Sequence, residues 1–471
     1  MKEILYTHLP FITPEKVFLY FKDKNFLCWL DDCSKKKIRS YSIIGIEPFL
    51  IFISKKRKTS IFIDGKEEIL YGNPFDIFKE VLKRYKVDFP FLFSPGALGY
   101  LSYDLGWHIE KLPDIAKDDL KIPEIWFGFY STLLIFDHNR KKLIIVSQNV
   151  YDKNREFELK FKSLVEQFKK IFEKVENYKF ILKDSLNFQM LSSNMTHNEY
   201  INSIKKIKNY IEKGDVYQIN FAQRIQAKGI FSPEEIYLKL REINPTSFSG
   251  FLNTGSFYIL SNSPELFLFK NKDLVITRPM KGTRPRGRNK QQDNLYKKQL
   301  LESAKDKAEL IMIVDLERND LGKVCKYGSV RVKKNQILEK YKTVFQTTSQ
   351  IEGILKNDID CIDLLKATFP GGSITGAPKI RAMEIIEELE PNKRGFYTGS
   401  MGYIGFNGNM ELNILIRTIL MKNDTIYYPV GGGIVWDSSP EKEYEETITK
   451  AKALFLTLGV KNDREFTKTL L

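Results

Sequence analysis

Between residues 1 and 180 the chain alternates short β-rich runs with turn residues, and this pattern limits the folds open to it. VFLYF, FLCWL, YSIIG, FLIFI, TSIFI, ALGYLSYDLGW, FGFYSTLLIF and KLIIVSQ carry Val, Ile, Tyr and Phe at alternating positions, with Gly, Asp and Pro between the runs. Successive strand side chains point to opposite faces, so such runs predict antiparallel strands. One amphipathic helix is expected around residues 74–85 and a charged one at about 152–177. The polar stretch SLNFQMLSSNMTH then marks a boundary between a β-rich region, 1–185, and a second region, 190–465. Past the boundary, Thr196 can cap a helix whose Tyr200, Ile201, Ile204, Ile207 and Ile211 follow helical spacing, with Gly214 to end it. In the next run Tyr217, Ile219 and Phe221 face one way, Gln218 and Asn220 the other. Strand-like FYILSNS, DLVITRP, YTGSMGYIGF, LNILIRTIL and TIYYPVGGGIV are interspersed with helical runs at 292–320, 360–368, 378–390 and 440–457. Strands and helices do not alternate one for one, which favours an α+β fold with large antiparallel sheets over a doubly wound α/β fold.

Composition excludes several classes. With 471 residues the chain can bury a large core without covalent staples, and Cys28, Cys33, Cys325 and Cys361 are too scattered for a disulfide framework. No run approaches the ~18 apolar residues of a membrane span, and the start, MKEILYTHLPFITPEK, lacks the apolar core of a secretory leader. A cytoplasmic protein without membrane contact is expected. The net charge of +15 comes from lysines in short scattered groups such as 35–37, 55–58, 205–208 and 333–334. No basic tail or basic–aromatic stripe gathers them, so no nucleic-acid partner is expected; the surface suits a dianionic small molecule or an acidic partner.

The chemistry available is that of carboxylates, lysine, hydroxyls and backbone. There is no Walker A loop, no Rossmann glycine pattern and no nucleophile elbow, and His8, His108, His138 and His197 stand outside any zinc motif. SNSPELF places Glu265 just past an apolar strand, and RPMKGTRPRG places Lys281 at the end of the next, before a Gly-Thr turn. A desolvated nucleophilic amine beside a carboxylate is one reading; surface salt-bridge partners are the other. In ELIMIVDLERNDLG, carboxylates at 309, 315, 317 and 320 accompany an apolar face, with Asp306 as a helix cap and Glu309 completing a capping box. In GGGIVWDSSPEKEYEETITK, Ser439 and Pro440 open a helix on which Glu443, Glu446 and Lys450 share a face. Carboxylates from separate helices suit Mg²⁺; ordinary helix-dipole glutamates are the alternative. FPGGSITGAPKIRAMEII offers backbone N–H groups to an anion, and Arg417 in LNILIRT is a charge in an apolar run that wants a bidentate anion. Gly431–Gly433 allow close backbone approach to a ligand.

The segments GDVYQINFAQR, SNSPELF, RPMKGTRPRG, AELIMIVDLERNDLG, FPGGSITGAPKIRAMEIIEELEP, RGFYTGSMGYIGF, LNILIRT and GGGIVWDSSPEKEYEE resemble, in that order, the chorismate-utilising enzymes. The resemblance is strong over about 195–460 and looser before it. It implies a β-sandwich-like core with helices outside. The water-using members have a lysine base where Gln218 stands, so an ammonia-using member is implied. Pro279-Met280-Lys281-Gly282-Thr283 resembles the aminodeoxychorismate synthase component I branch, where anthranilate synthases have alanine at the lysine position. The roles implied are Lys281 as covalent nucleophile and Glu265 as general acid. Substrate contacts fall to Gln218, Gly282, Thr283, Ser373, Tyr397, Arg417, Gly431, Gly432, Gly433 and Lys450. Mg²⁺ would be held by Glu309 and Glu446 with Glu443 close by, and ammonia would come from a separate glutamine amidotransferase subunit. None of the cysteines has a glutaminase setting, and the chain's end at Leu471 implies no fused glutaminase. The alternatives are an anthranilate synthase component and, from another class, a basic nucleic-acid-binding protein. Two positions depart from the family: Gln346 replaces a common histidine, and Asp32 in Trp29-Leu30-Asp31-Asp32 replaces a serine used for tryptophan, although Arg39 and Tyr41 keep the neighbouring pattern.

Overall fold

The computed structural model describes residues 3–34, 40–150, 154–175, 188–342 and 344–459. Two antiparallel twelve-stranded sheets are its frame. The first runs Ile4–Pro10, Lys142–Gln148, Thr132–Asp137, Tyr41–Gly45, Cys28–Asp31, Phe248–Asn253, Tyr258–Ser263, Thr418–Lys422, Thr425–Ile434, Gln218–Gly229 and Phe188–Ser193, with the short strand Gly376–Ala377 also paired to Gln218–Gly229. The second runs Met280–Pro285, Val344–Ile354, Leu274–Arg278, Leu266–Asn271, Met410–Asn413, Ser400–Gly405, Gly96–Leu101, Ile125–Tyr130, Leu50–Lys55, Lys58–Ile63 and Lys66–Tyr71, with Arg331–Lys340 paired to Val344–Ile354. Each sheet takes strands from both sides of residues 185–190, so the two regions of the sequence share common sheets.

Period-two alternation explains the stacking. Cys28, Leu30, Ile43, Leu133, Ile135 and Leu252 of the first sheet join Leu98, Tyr100, Trp126, Met401 and Tyr403 of the second in one inner core. The alternate residues Trp29, Ile44, Leu134 and Phe251 pack outward with Val17 and Phe18 of helix Pro14–Phe21, Tyr237 of helix Pro233–Ile243 and Leu454 of helix Pro440–Thr457. Ala97, Leu101, Phe127 and Phe129 do the same on the other side with Phe78 of helix Pro74–Arg84, Leu310 of helix Ala304–Val324 and Leu364 of helix Cys361–Thr368. Sheet faces sheet, with helices outside, as the resemblance implies.

Several local expectations are corrected. VFLYF belongs to helix Pro14–Phe21, because Thr13-Pro14-Glu15 is a helix start with proline at its first position. Part of the polar boundary stretch, Phe188–Ser193, is a strand held by pairing to Gln218–Gly229. The run 292–320 is two helices, Lys290–Glu302 and Ala304–Val324; Ser303 caps the second by accepting from Asp306 N at 3.2 Å, which leaves Asp306 inside the helix instead of at its cap. LNILIRTIL breaks between Met410–Asn413 and Thr418–Lys422, and Arg417 sits at the break with φ +51°. Tyr217 is 71% exposed and does not share the buried face of Ile219 and Phe221. Thr196 caps helix His197–Glu212 as expected, and Glu199 adds a capping box; Gly214, with positive φ, follows its end as expected. Arg39 and Lys35–Lys37 lie outside the described residues.

Candidate active site

The expected site residues come from both sheets and from two helices. Glu265 follows the Tyr258–Ser263 strand and is 4% exposed. Its Oε1 accepts from Ser373 Oγ at 2.6 Å, and its backbone N–H is held by Ser263 Oγ at 3.2 Å. Burial pushes the Glu265 carboxyl up to about 7, against the opposing pull of the Ser373 hydrogen bond, Lys281 and Arg417. A carboxyl half-protonated near neutrality can serve as a proton donor and then as an acceptor.

Lys281 lies inside the strand Met280–Pro285, at the bulge where Gly282 adopts φ +72° against Val344–Ile354. Its Nζ has no hydrogen bond or ion pair among the described residues. Burial lowers its pKa, opposed by the nearby carboxylates of Glu309 and Glu265. The neutral, nucleophilic amine is thereby made accessible at lower pH than for a surface lysine.

Gly433 and Gly432 bring a strand backbone against these groups. A Cβ on Gly433 would stand 2.2 Å from Gln218 Nε2 and 3.4 Å from Lys281 Nζ, so any side chain there would displace the Gln218 amide. A Cβ on Gly432 would meet Glu443 Oε2 at 3.4 Å, Glu446 Oε1 at 3.6 Å and Lys450 Nζ at 3.7 Å. Lys450 donates to the carbonyl of Gly431 at 2.8 Å and pairs with Glu446 at 2.7 Å. Helix Pro440–Thr457 therefore presents Glu443, Glu446 and Lys450 together, as their spacing predicts. Burial raises the Glu443 and Glu309 carboxyls, whereas the ammonium of Lys450 holds Glu446 below the ordinary range. Lys281 and Glu443 are among the charges that Glu309 feels, which ties the helix Ala304–Val324 to the same place. Among the described residues, no three of His, Cys, Asp and Glu converge closely enough to make a metal-binding cluster.

Arg417 faces the other flank. Its guanidinium has no hydrogen bond or ion pair among the described residues, and burial works against its charge, with Tyr428, Tyr341 and Glu265 nearby. Tyr397 is buried beside Arg394 and Tyr428, and its hydroxyl is pushed upward by burial. Thr283 accepts from Gln346 Nε2 at 3.2 Å. Gln218 is 1% exposed, and its Oε1 has no hydrogen-bond partner.

Sequence reasoning passed over Tyr428 and Glu317. Tyr428 is fully buried with an unpartnered hydroxyl and neighbours Arg417; its place three residues before Gly431 was the available signal. Glu317, read as one acid among several on a helix, is buried beneath the Gly371–Ser373 loop and accepts from Thr277 Oγ1 at 2.8 Å. Burial pushes it up to about 8, with Glu265 close enough to add to the effect.

Taken together, a half-buried lysine beside a buried acid, an arginine unpaired among the described residues and a glycine-lined strand define a site for a small polyanionic molecule. Residues 26–456 match the family of chorismate binding enzymes, and the chain belongs to that family. It is 38% identical over 457 residues to anthranilate synthase component 1 of Acetivibrio thermocellus, covering 94% of this chain and 92% of that protein. It is 37% identical over 420 residues to aminodeoxychorismate synthase component 1 of Bacillus subtilis, covering 88% of each. Among solved structures, anthranilate synthase component I of Streptococcus pneumoniae superimposes with a TM-score of 0.78 at 30% identity, covering 90% of this chain and 93% of that one. The menaquinone-specific isochorismate synthase of Escherichia coli shares the fold, with a TM-score of 0.73 at 15% identity over 97% of this chain and 95% of that one. Among the described residues no helix is long and apolar enough to cross a membrane.

Proposed function

We propose that this chorismate-utilising enzyme is an aminodeoxychorismate synthase component I, converting chorismate and ammonia to 4-amino-4-deoxychorismate and water. The observation that carries the reading is Lys281, a half-buried amine without a partner among the described residues, beside the raised carboxyl of Glu265. An anthranilate synthase needs no lysine nucleophile, and the resemblance gives it alanine at this position. Relatives of both kinds are similarly identical to the chain, so the lysine and not overall identity favours this branch.

The neutral Nζ of Lys281 attacks C2 of chorismate, the ring double bonds shift, and the C4–O bond breaks. Protonated Glu265 gives its proton to the departing hydroxyl, which leaves as water. The new C2–N ammonium then returns a proton to Glu265. Ammonia next forms a bond to C4, the double bonds shift back, and the C2–Nζ bond breaks with the Glu265 proton going to Nζ. Loss of a proton from the C4 ammonium to Glu265 restores the starting state. Arg417, Tyr397, Ser373, the Gly431–Gly433 backbone and Lys450 hold the substrate's carboxylates, while Gln218, too weak a base to deprotonate water, borders Lys281.

No three carboxylates converge among the described residues, but two of Glu309, Glu443 and Glu446 with waters and a substrate oxygen would be enough for Mg²⁺. Glu309, Glu443 and Glu446 supply hard oxygen donors, and the gap over Gly432, which a Cβ would fill at 3.4 Å from Glu443, leaves room against them. Mg²⁺ takes one or two protein carboxylates with waters and substrate oxygens, so an open set suits it. When bound, it would neutralise charge on a substrate carboxylate. The nitrogen source is free ammonia, supplied in the cell by a separate glutamine amidotransferase. Mass analysis of the product from chorismate, Mg²⁺ and ammonium tests the reading. Aminodeoxychorismate without pyruvate is expected, glutamine being used only when a glutaminase subunit is added; anthranilate with pyruvate overturns it.

A further inference from the structure

Gln346 is a departure from the family's histidine with no role yet. It is 6% exposed and stands opposite Thr283 in the pairing of Val344–Ile354 with Met280–Pro285. Its Nε2 donates to Thr283 Oγ1 at 3.2 Å, and the adjacent Thr347 Oγ1 donates to the carbonyl of Lys281 at 2.5 Å. These two bonds fix both ends of the Lys281–Gly282–Thr283 bulge against one strand and orient the Gln346 amide. Its Oε1 is nevertheless buried without a hydrogen-bond partner. An orphaned buried acceptor is costly, so the position suits a bound group with an N–H or O–H.

The choice of occupant follows from hydrogen-bonding type. Oε1 is an acceptor only, which excludes the carboxylates of chorismate. The C4 hydroxyl already has Glu265 as its partner and leaves in the first step. Ammonia brings three N–H bonds and must arrive with its lone pair free. A neutral amide oxygen suits it: it accepts an N–H without taking the proton and leaves the lone pair unengaged, whereas a hydrogen-bond donor would occupy that pair. We propose that Gln346 Oε1, oriented by Thr283, holds the incoming ammonia by one N–H while the C4–N bond forms. This rests on the reading above that ammonia is the nucleophile.

Two measurements on the full chain separate the outcomes. The first is the rate at which chorismate without any nitrogen source forms the Lys281 adduct; the second is the ammonium dependence of amination. Gln346→Met, matched in length but without the amide, is expected to raise KM for ammonium about tenfold, the worth of one hydrogen bond. The variant also loses the bond to Thr283 that helps fix the bulge, so its adduct rate is expected to fall, but several-fold less than amination at low ammonium. Gln346→Glu, which restores an acceptor oxygen, should recover a KM closer to wild type. Should the methionine variant fail to fold, Gln346→Asn withdraws the same amide by one methylene and carries the same expectation. An unchanged KM for ammonium overturns the proposal, as does a loss of adduct rate equal to the loss of amination, which would assign Gln346 to chorismate. Absence of any adduct on the wild type would instead defeat the Lys281 mechanism, with the ammonium KM still deciding the role of Gln346.

Discussion

Two buried polar clusters in this molecule have opposite economies. Near the first strands, Asp31 is fully buried and accepts from Arg241 Nε at 2.5 Å and Ser42 Oγ at 2.9 Å. Arg241 also reaches Glu15 at 2.5 Å, and Ser42 reaches His138 at 2.8 Å, so ion and hydroxyl close on one another; the indole N–H of Trp29 lacks a partner among the described residues. Around Lys281, by contrast, Nζ of Lys281, the guanidinium of Arg417 and Oε1 of both Gln218 and Gln346 are left open among the described residues. A cluster that satisfies itself contributes to holding the fold; one that does not is poised for a ligand. The contrast also bears on the departure at Asp32, whose carboxylate accepts from Ser34 Oγ at 2.7 Å and so fills with protein groups the place of the family's serine.

The largest effect that would test this contrast is on turnover. Glu309→Gln and Glu446→Gln should each reduce chorismate consumption by at least about a hundredfold and weaken Mg²⁺ binding in calorimetry, with the melting temperature little changed. Magnesium dependence unchanged in both would remove these ligands. Next comes the arginine pair. Arg241→Met strands Asp31 and Glu15 and should cost about 3–5 kcal/mol in denaturant unfolding with turnover of the folded enzyme retained. Arg417→Met removes a half-buried charge that no protein group pairs among the described residues, so it should leave stability little changed while chorismate binding is lost. Equal destabilisation by both would erase the distinction between the clusters.

A smaller effect follows from Glu265. In the fold it keeps its proton up to about pH 7, against 4.5 ordinarily, so the native state binds more protons between those values and stability falls as pH rises through that window. Glu265→Gln should therefore stabilise the protein at pH 8 by on the order of 3 kcal/mol and have little effect at pH 4. A stabilisation independent of pH would contradict the raised carboxyl.

The sequence made the fold class legible because alternation of apolar residues is a local signal, as in Trp29/Leu30 and Ile43/Ile44, whose members pack on opposite faces. It misread Val17–Phe21 because an apolar run flanked by turns suits a strand or a buried helix equally, and the decisive Thr13-Pro14 lies before it. The polar stretch Phe188–Ser193 became a strand only through pairing with Ile225–Gly229, which no local pattern reports. Within the site, glycines and charges in apolar runs were readable: Gly433, Lys281 and Arg417 need their unusual settings. Tyr428 and Glu317 were not, since a tyrosine in a strand and a glutamate in a helix are ordinary until the fold buries them beside Arg417 and Glu265.

In the proposed reaction the open lysine, Lys281, is the nucleophile. Incubating the full chain with chorismate and no nitrogen source, then digesting it for mass spectrometry, tests this most directly. The account predicts a peptide containing Lys281 that is heavier by chorismate minus water, disappears on adding ammonium and is absent from Lys281→Ala. A Lys281→Ala enzyme that forms aminodeoxychorismate at the wild-type rate, with no adduct on the parent, would contradict it.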